Sequence, residues 1–238
     1  MKAEIEYWCA GAHCEDTKWE QAYRRFETPE QEVRKFTTRL KKLGVDRIPR
    51  DGLVAELFCG RGNGLVALER LGFRRLVGVD LSPSLLSQYA GSAKRIVGDC
   101  RDLRFERGSL SLIVIQGGLH HLPDLRRDLP RVLDQIHRNL TPEGQLILVE
   151  PWNDLFLRTV HSITLKTPAG RLVPKLDALR TMIELERQTY FPWLSDSEFV
   201  NAEITSRFDP SVSQIRFGKF LFSGCPKSAC EIADDELS

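Results

Sequence analysis

Residues 56–64 read Glu-Leu-Phe-Cys-Gly-Arg-Gly-Asn-Gly (ELFCGRGNG), and the fold is decided there. The turn follows a short apolar run, 53–58, that has the length and composition of a buried strand, and it opens into a helical pattern at 62–71. Glycines at such a turn let the backbone approach a ligand where a Cβ would clash, and the helix start beyond offers free N–H groups. The dinucleotide fingerprint G-x-G-x-x-G/A is incomplete, because position 65 is Leu where a third small residue belongs. Asp80 lies twenty positions after Gly60, at the end of a second apolar run, 76–79. A carboxylate at that place accepts hydrogen bonds from both hydroxyls of a ribose. The spacing favours a nucleoside-binding α/β domain, and a bland glycine-rich turn with a helix-capping Asp is the ordinary alternative.

Outward from this turn, strands alternate with helices. Ser82-Pro83 starts a helix through about Tyr89. Residues 95–97 and 110–115 read as a third and a fourth strand. Leu129, Val132, Leu133, Ile136 and Leu140 mark the buried stripe of a helix, with Pro130 placed near its first turn. Residues 141–144 read as the turn into a fifth strand, 145–149. Strands apolar on both faces and separated by helices predict a Rossmann-like, doubly wound, mostly parallel sheet. Residues 204–208 and 215–222 read as a closing antiparallel hairpin, and the expected sheet has seven strands with an antiparallel last strand.

Before the core, residues 15–43 read as two helices. Thr28, Pro29 and Gln31 form a capping box with proline in the first turn. Trp19, Tyr23 and Phe26 share one stripe of the first helix, which suits core packing or closure over a ligand. Residues 152–200 break the strand–helix rhythm with prolines and aromatics, including two helices near 154–165 and 174–190 and a capping box at 195–198. The expected organisation is an N-terminal helical cap over 1–45 and a core over 46–238 carrying a helical lid insertion at 152–200. The tail, 231–238, is acidic.

Composition narrows the function. In 238 residues, 34 Lys and Arg against 33 Asp and Glu leave a net charge of +1, so a global basic field for nucleic acid is absent. No apolar run approaches the roughly 18 residues of a membrane span, and the N-terminus does not read as a secretory signal. Six cysteines are too few for a disulfide scaffold in a chain this long, so a reducing, cytoplasmic setting is expected.

Five stretches, ELFCGRGNG, LVGVDLSP (76–83), RIVGDCRDLRF (95–105), GSLSLIVIQGGLHHLPD (108–124) and LTPEGQLILVEP (140–151), resemble in order and spacing the class I S-adenosylmethionine-dependent methyltransferases, small-molecule branch. The resemblance implies S-adenosyl-L-methionine as cofactor. It places Glu56 at the opening of the first motif, Gly60 and Gly62 beside the methionyl end, and Asp80 with Leu81 at the ribose. It places Asp99 at the adenine amine, the backbone of Cys100 beside the ring, and Gln116 near the methionyl group. Phe58 stands where the family's first motif has glycine, a departure that bears on the loop geometry.

Methyl transfer needs a base only where the acceptor loses a proton, as a hydroxyl does. His120 and His121 follow the fourth strand at the edge where α/β ligands bind, and an imidazole titrates near neutrality. Glu150, ending the fifth strand, is placed to orient or charge-stabilise one of them. In similar sugar methyltransferases a histidine in this stretch pairs with an acid on the next strand as the base, and His121 is the first candidate here. The alternative is that both histidines only shape the loop. His161 is a remoter candidate.

Cys9-x4-Cys14 with His13, and Cys225-x4-Cys230, could make a zinc set if the termini met, but the spacing lacks the usual knuckle pattern and no metal is expected. The leading expectation is O-methylation of a sugar, glycolipid or secondary metabolite, with an apolar or amphiphilic acceptor under the aromatic lid. RNA or protein methylation is a second reading, against which stand the neutral charge and QGGL where an NPPY-like motif would fall. A cofactor-binding regulator without activity is the third.

Overall fold

A computed structural model describes the backbone of residues 4–11 and 17–228. Among them eight strands form one sheet: β1 Ile5–Tyr7, β2 Leu53–Leu57, β3 Leu76–Asp80, β4 Lys94–Val97, β5 Leu110–Gln116, β6 Leu140–Pro151, β7 Phe208–Arg216 and β8 Lys219–Pro226. Their order is β1-β4-β3-β2-β5-β6-β8-β7. All neighbours from β1 to β6 pair in parallel, and β8 runs antiparallel to both β6 and β7. The expected doubly wound sheet is present, with eight strands in place of seven. The added strand is β1, whose three residues pair with Arg95–Val97 of β4. Three half-exposed residues carry no alternating pattern to read. The N-terminal segment is therefore part sheet and part helix.

Ten α-helices among the described residues cover the faces: α1 Thr17–Phe26, α2 Pro29–Lys42, α3 Asn63–Arg70, α4 Pro83–Leu86, α5 Leu125–Asn139, α6 Leu155–Lys166, α7 Ala169–Leu172, α8 Pro174–Leu185, α9 Arg187–Ser195 and α10 Ser197–Arg207. Alternation along the central strands splits the core in two. Ile113 and Ile115 of β5 face Leu129, Val132 and Ile136 of α5 with Val200 and Ile204 of α10. Leu112 and Val114 of the same strand face Val33, Phe36 and Leu40 of α2 and Leu65 and Leu68 of α3. The Thr28–Gln31 capping box forms as its residues predict.

The helix read from Ser82 through about Tyr89 ends at Leu86, Glu186 splits the helix read near 174–190 into α8 and α9, and four further local readings differ. Residues 204–207 continue α10, whose Val200 and Ile204 bury one helical stripe, so the hairpin strand starts at Phe208. The helix there is capped by Asp196 without a side-chain bond, not by a box at Ser195. Residues 140–144 stay in β6, and the pairing with β5 slips between Leu110 and Leu112 where a turn was expected. α5 begins at Leu125 behind the capping Asp124, which leaves Pro130 inside the helix instead of in its first turn.

Candidate active site

The parallel strands β2, β3, β5 and β6 all end on one edge of the sheet, and the residues singled out from sequence collect there. Glu56 is buried at the end of β2. Burial pushes its carboxyl well above the usual carboxylate range, with the Glu32 charge adding to this, and the Leu65 N–H opposing. Its Oε2 has no hydrogen-bond partner. Gly64 is required beside it, since a Cβ there would fall 1.6 Å from Glu56 Oε1.

The turn beyond holds left-handed backbone at Phe58 (φ 54°), Gly60 (51°) and Gly62 (80°). For a phenylalanine this costs about 1–2 kcal/mol. The ring packs against Gly118 after β5, where a Cβ would fall 2.4 Å from Phe58 Cγ. The bulky residue in the first turn is thus accommodated by a glycine in a second one.

Asp80 Oδ2 accepts the Gly60 N–H at 2.7 Å and Oδ1 accepts the Ser82 N–H at 2.8 Å. Burial raises its carboxyl despite these bonds. Leu81 is half-buried in the same turn. Asp99 forms a two-pronged pair with Arg101, Oδ2 to Nη2 at 2.6 Å and Oδ1 to Nε at 3.0 Å. Burial tends to raise its carboxyl, and the guanidinium wins and holds it low. Burial pushes the Cys59 and Cys100 thiols up, which leaves them inert as nucleophiles. Gln116, closing β5, has both amide atoms shielded from solvent and without a partner. Two orphaned polar groups, Glu56 Oε2 and the Gln116 amide, flank a turn of open backbone. A buried polar group left so is costly unless a ligand completes it, and these residues fit a polar nucleoside-type cofactor.

A second cluster stands beside them. Glu150 is wholly buried at the end of β6. Its Oε1 accepts the N–H groups of Gly118 (2.7 Å) and Leu119 (2.8 Å), and its Oε2 meets His120 Nδ1 at 2.7 Å. His120 is buried, and its Nε2 lies 3.8 Å from Glu186 Oε2. His121 does not reach Glu150. Its ring lies 4.1 Å from the His120 ring, and its Nδ1 lies 3.5 Å from Glu186 Oε1. Desolvation in the cleft, then the His120 charge, hold the His121 imidazole well below its ordinary range, although 37% of the side chain is exposed.

Three groups here were not found from sequence. Glu186, between α8 and α9, faces both histidines, and burial raises its carboxyl while His120 opposes. Tyr190 of α9 packs its ring edge-on to His120 at 5.8 Å, and its hydroxyl meets His161 Nε2 at 3.1 Å. Lys219 opens β8 opposite Pro151, and desolvation lowers its ammonium to about 8. All three lie outside the patterned core stretches, where no spacing marks them. Trp19 of α1 stacks on Tyr23 and stands edge-on to His121 at 6.3 Å, so the first helix lies over this cluster.

His120, His121 and Glu186 bring one ligand-type atom each within 4.8 Å of one another, the one metal-type group among the described residues. Cys9 and Cys225 are free thiols, while His13, Cys14 and Cys230 lie outside the described residues.

Residues 56–148 match the family model described as a methyltransferase domain. Residues 56–148 are a methyltransferase domain, built on the class I methyltransferase fold. That match spans the first turn, the Asp80 and Asp99 strands and the histidine loop. Solved structures share the fold. The PH0226 protein of Pyrococcus horikoshii is 20% identical with a TM-score of 0.64, over 88% of this chain and 99% of its own. The plantazolicin methyltransferase BpumL, solved with a monoazolic desmethyl-plantazolicin analogue and S-adenosylhomocysteine, is 13% identical with a TM-score of 0.63, over 90% and 91%. A structure describing conversion of a disulfide bond into a thioacetal group during echinomycin biosynthesis is 16% identical with a TM-score of 0.56, over 84% of each chain. The comparison with curated protein sequences returns no match. The methyltransferase uses S-adenosyl-L-methionine, and no helix among its described residues is long and apolar enough to cross a membrane.

Proposed function

We propose that this methyltransferase transfers the methyl group to a hydroxyl of a small amphiphilic molecule, such as a glycolipid, sugar or secondary metabolite, with His120 as the general base. The observation that carries this is the 2.7 Å contact between Glu150 Oε2 and His120 Nδ1. A carboxylate on Nδ1 fixes the tautomer that leaves the Nε2 lone pair free and stabilises the imidazolium formed when a proton arrives. The base role thus moves from His121, whose Nδ1 stands 3.5 Å from Glu186 Oε1 without a hydrogen bond, to its neighbour. His121, kept uncharged, lines the approach.

S-adenosylmethionine supplies an electrophilic methyl group on sulfonium. Asp80 and Leu81 would hold its ribose, Asp99 and the Cys100 backbone its adenine, and Glu56, Phe58, Gly60, Gly62 and Gln116 its methionyl side. Asp99 does so while tied to Arg101, so its carboxylate stays ionised and oriented. His120 Nε2 takes the acceptor's hydroxyl proton as the new bond forms on that oxygen. Trp19 and Tyr190 flank the two histidines, and the rest is proximity. The lid over 152–200 supplies Glu186 and Tyr190 to this cleft, which supports the organisation read from sequence.

The test is label transfer. The protein is incubated with methyl-tritiated S-adenosylmethionine and a cell extract split into protein, RNA, water-soluble small-molecule and solvent-extracted lipid fractions. Base-stable label in the lipid fraction supports the reading, and label confined to the water-soluble small-molecule fraction keeps the hydroxyl transfer but removes the amphiphilic acceptor. Label confined to RNA or protein refutes it in favour of macromolecular methylation.

A further inference from the structure

Helix α6 has two faces of different character. Leu157, His161, Thr164 and Leu165 turn inward, where Leu157 and Leu165 join the core and His161 meets the Tyr190 hydroxyl over His120. The outward face is apolar as well: Leu155 is 74% exposed, Phe156 50% and Ile163 42%. The next helix continues it with Leu172, 79% exposed, and Val173 beside it. Phe217, at the tip of the β7–β8 hairpin, packs edge-on to Phe156 at 5.6 Å. The hairpin is tied to the start of α6, because Gly218 N–H donates to Asp154 Oδ2 at 2.8 Å. Six of the nine large apolar side chains exposed among the described residues lie on α6, the α7 end and the hairpin tip, namely Leu155, Phe156, Ile163, Leu172, Val173 and Phe217.

Charge says what covers it. Residues 155–176 hold Arg158, Lys166, Arg171 and Lys175 and no acid, in a chain whose net charge is only +1. All four are exposed, and Arg158, Lys166 and Arg171 form no ion pair among the described residues. Exposed leucine and phenylalanine among unpaired cations is the composition of a surface that lies in an anionic lipid interface. The acids that close the stretch are engaged within the chain, Asp154 with the Gly218 N–H and Asp177 with Arg25, so they do not neutralise these cations.

We propose that the outward face of α6 and α7, with the β7–β8 tip, docks on an anionic lipid bilayer, and that the acceptor passes from that surface into the cleft beneath. The acceptor half of this statement rests on the amphiphilic reading given above; the docking half does not. The inner side of the same helix already touches the His120 neighbourhood, so an amphiphile leaving the bilayer has one helix thickness to cross, about 10 Å.

The test is flotation of the full chain with vesicles of phosphatidylcholine alone and of an equimolar mixture with phosphatidylglycerol. Binding to the anionic vesicles, weakened by salt, is expected. Arg158→Glu with Lys166→Glu lowers that partitioning at least about fivefold per side chain. Leu155→Ser with Leu172→Ser lowers it about tenfold per residue. Both pairs are exposed and should leave S-adenosylhomocysteine affinity unchanged, which shows that the fold survives. No flotation of the native protein, or flotation indifferent to both pairs, overturns the proposal. So does concentration-dependent self-association in sedimentation that the leucine pair abolishes, since the face would then be an interface between copies. Flotation as expected with label entering only the water-soluble fraction would keep the docking and sink the amphiphilic acceptor instead.

Discussion

Glu150→Gln separates the chemical role of this carboxylate from its structural one. The side chain is wholly buried and accepts from two backbone N–H groups on one oxygen and faces His120 Nδ1 with the other. An amide of the same shape can keep its oxygen on Gly118 and Leu119, exchanging charge-assisted bonds for neutral ones of about half the strength. The stability cost is then about 1–2 kcal/mol, a fall in Tm of under about 8 °C for a chain of this size. The introduced NH2 must face His120 Nδ1, which turns that nitrogen into an acceptor and moves its proton to Nε2. The base is lost, and turnover should fall about 10³–10⁴-fold, the range for a wrong-tautomer histidine. Glu150→Ala leaves three buried donors without an acceptor, costs about 3 kcal/mol or more, and lowers Tm by about 6–12 °C. Nitrogen-15 NMR of the imidazoles reads the tautomer, and single-turnover label transfer reads the rate. Turnover of Glu150→Gln within about threefold of native would refute the dyad and leave proximity as the mechanism.

Three further outcomes follow from the site. Gly118→Ala should destabilise by about 1–3 kcal/mol, because its Cβ falls 2.4 Å from Phe58 Cγ, and Phe58→Gly in the same chain should recover most of the loss; additive denaturation energies would show that the two turns are not coupled. His121→Ala should reduce turnover less than about tenfold, against a much larger loss for His120→Ala; the reverse order would return the base to His121. The His121 imidazole titrates below its ordinary 6.5 in the folded protein, so the unfolded chain binds the proton first. Stability is therefore at its full value above pH 6.5 and falls as pH drops below it, and His121→Gln should flatten that slope in thermal melts between pH 7.5 and 5.5; an unchanged slope would contradict it.

The fold was legible because each strand of the core is short, apolar and closed by a marked turn, and because Gly60, Asp80 and Asp99 fall at the strand ends that the topology brings together. β1 was not legible, since three residues paired at an edge carry no periodicity. The tail of α10 was misread because Ile204 and Phe208 suit a strand as well as a helix, and only the burial of Val200 with Ile204 decides. In the site, strand-end position was enough to nominate Glu150 and the histidine pair, but not which histidine it meets. That depends on the short turn at 119–121 rotating His120 inward while His121 stays at the rim. Glu186, Tyr190 and Lys219 join the cleft through tertiary packing of the lid and the hairpin, which local sequence does not encode.

The central claim, a cofactor site built on the Gly60 turn and Asp80, is tested most directly by calorimetric titration with S-adenosylhomocysteine. One site per chain is expected for the native protein. Asp80→Ala should weaken binding about 10–150-fold, the loss of 1.5–3 kcal/mol when ribose hydroxyls lose a charged acceptor, while Asp80→Asn, which keeps one acceptor oxygen, falls between. No binding heat from the native protein, or an affinity unchanged in Asp80→Ala, would contradict the account.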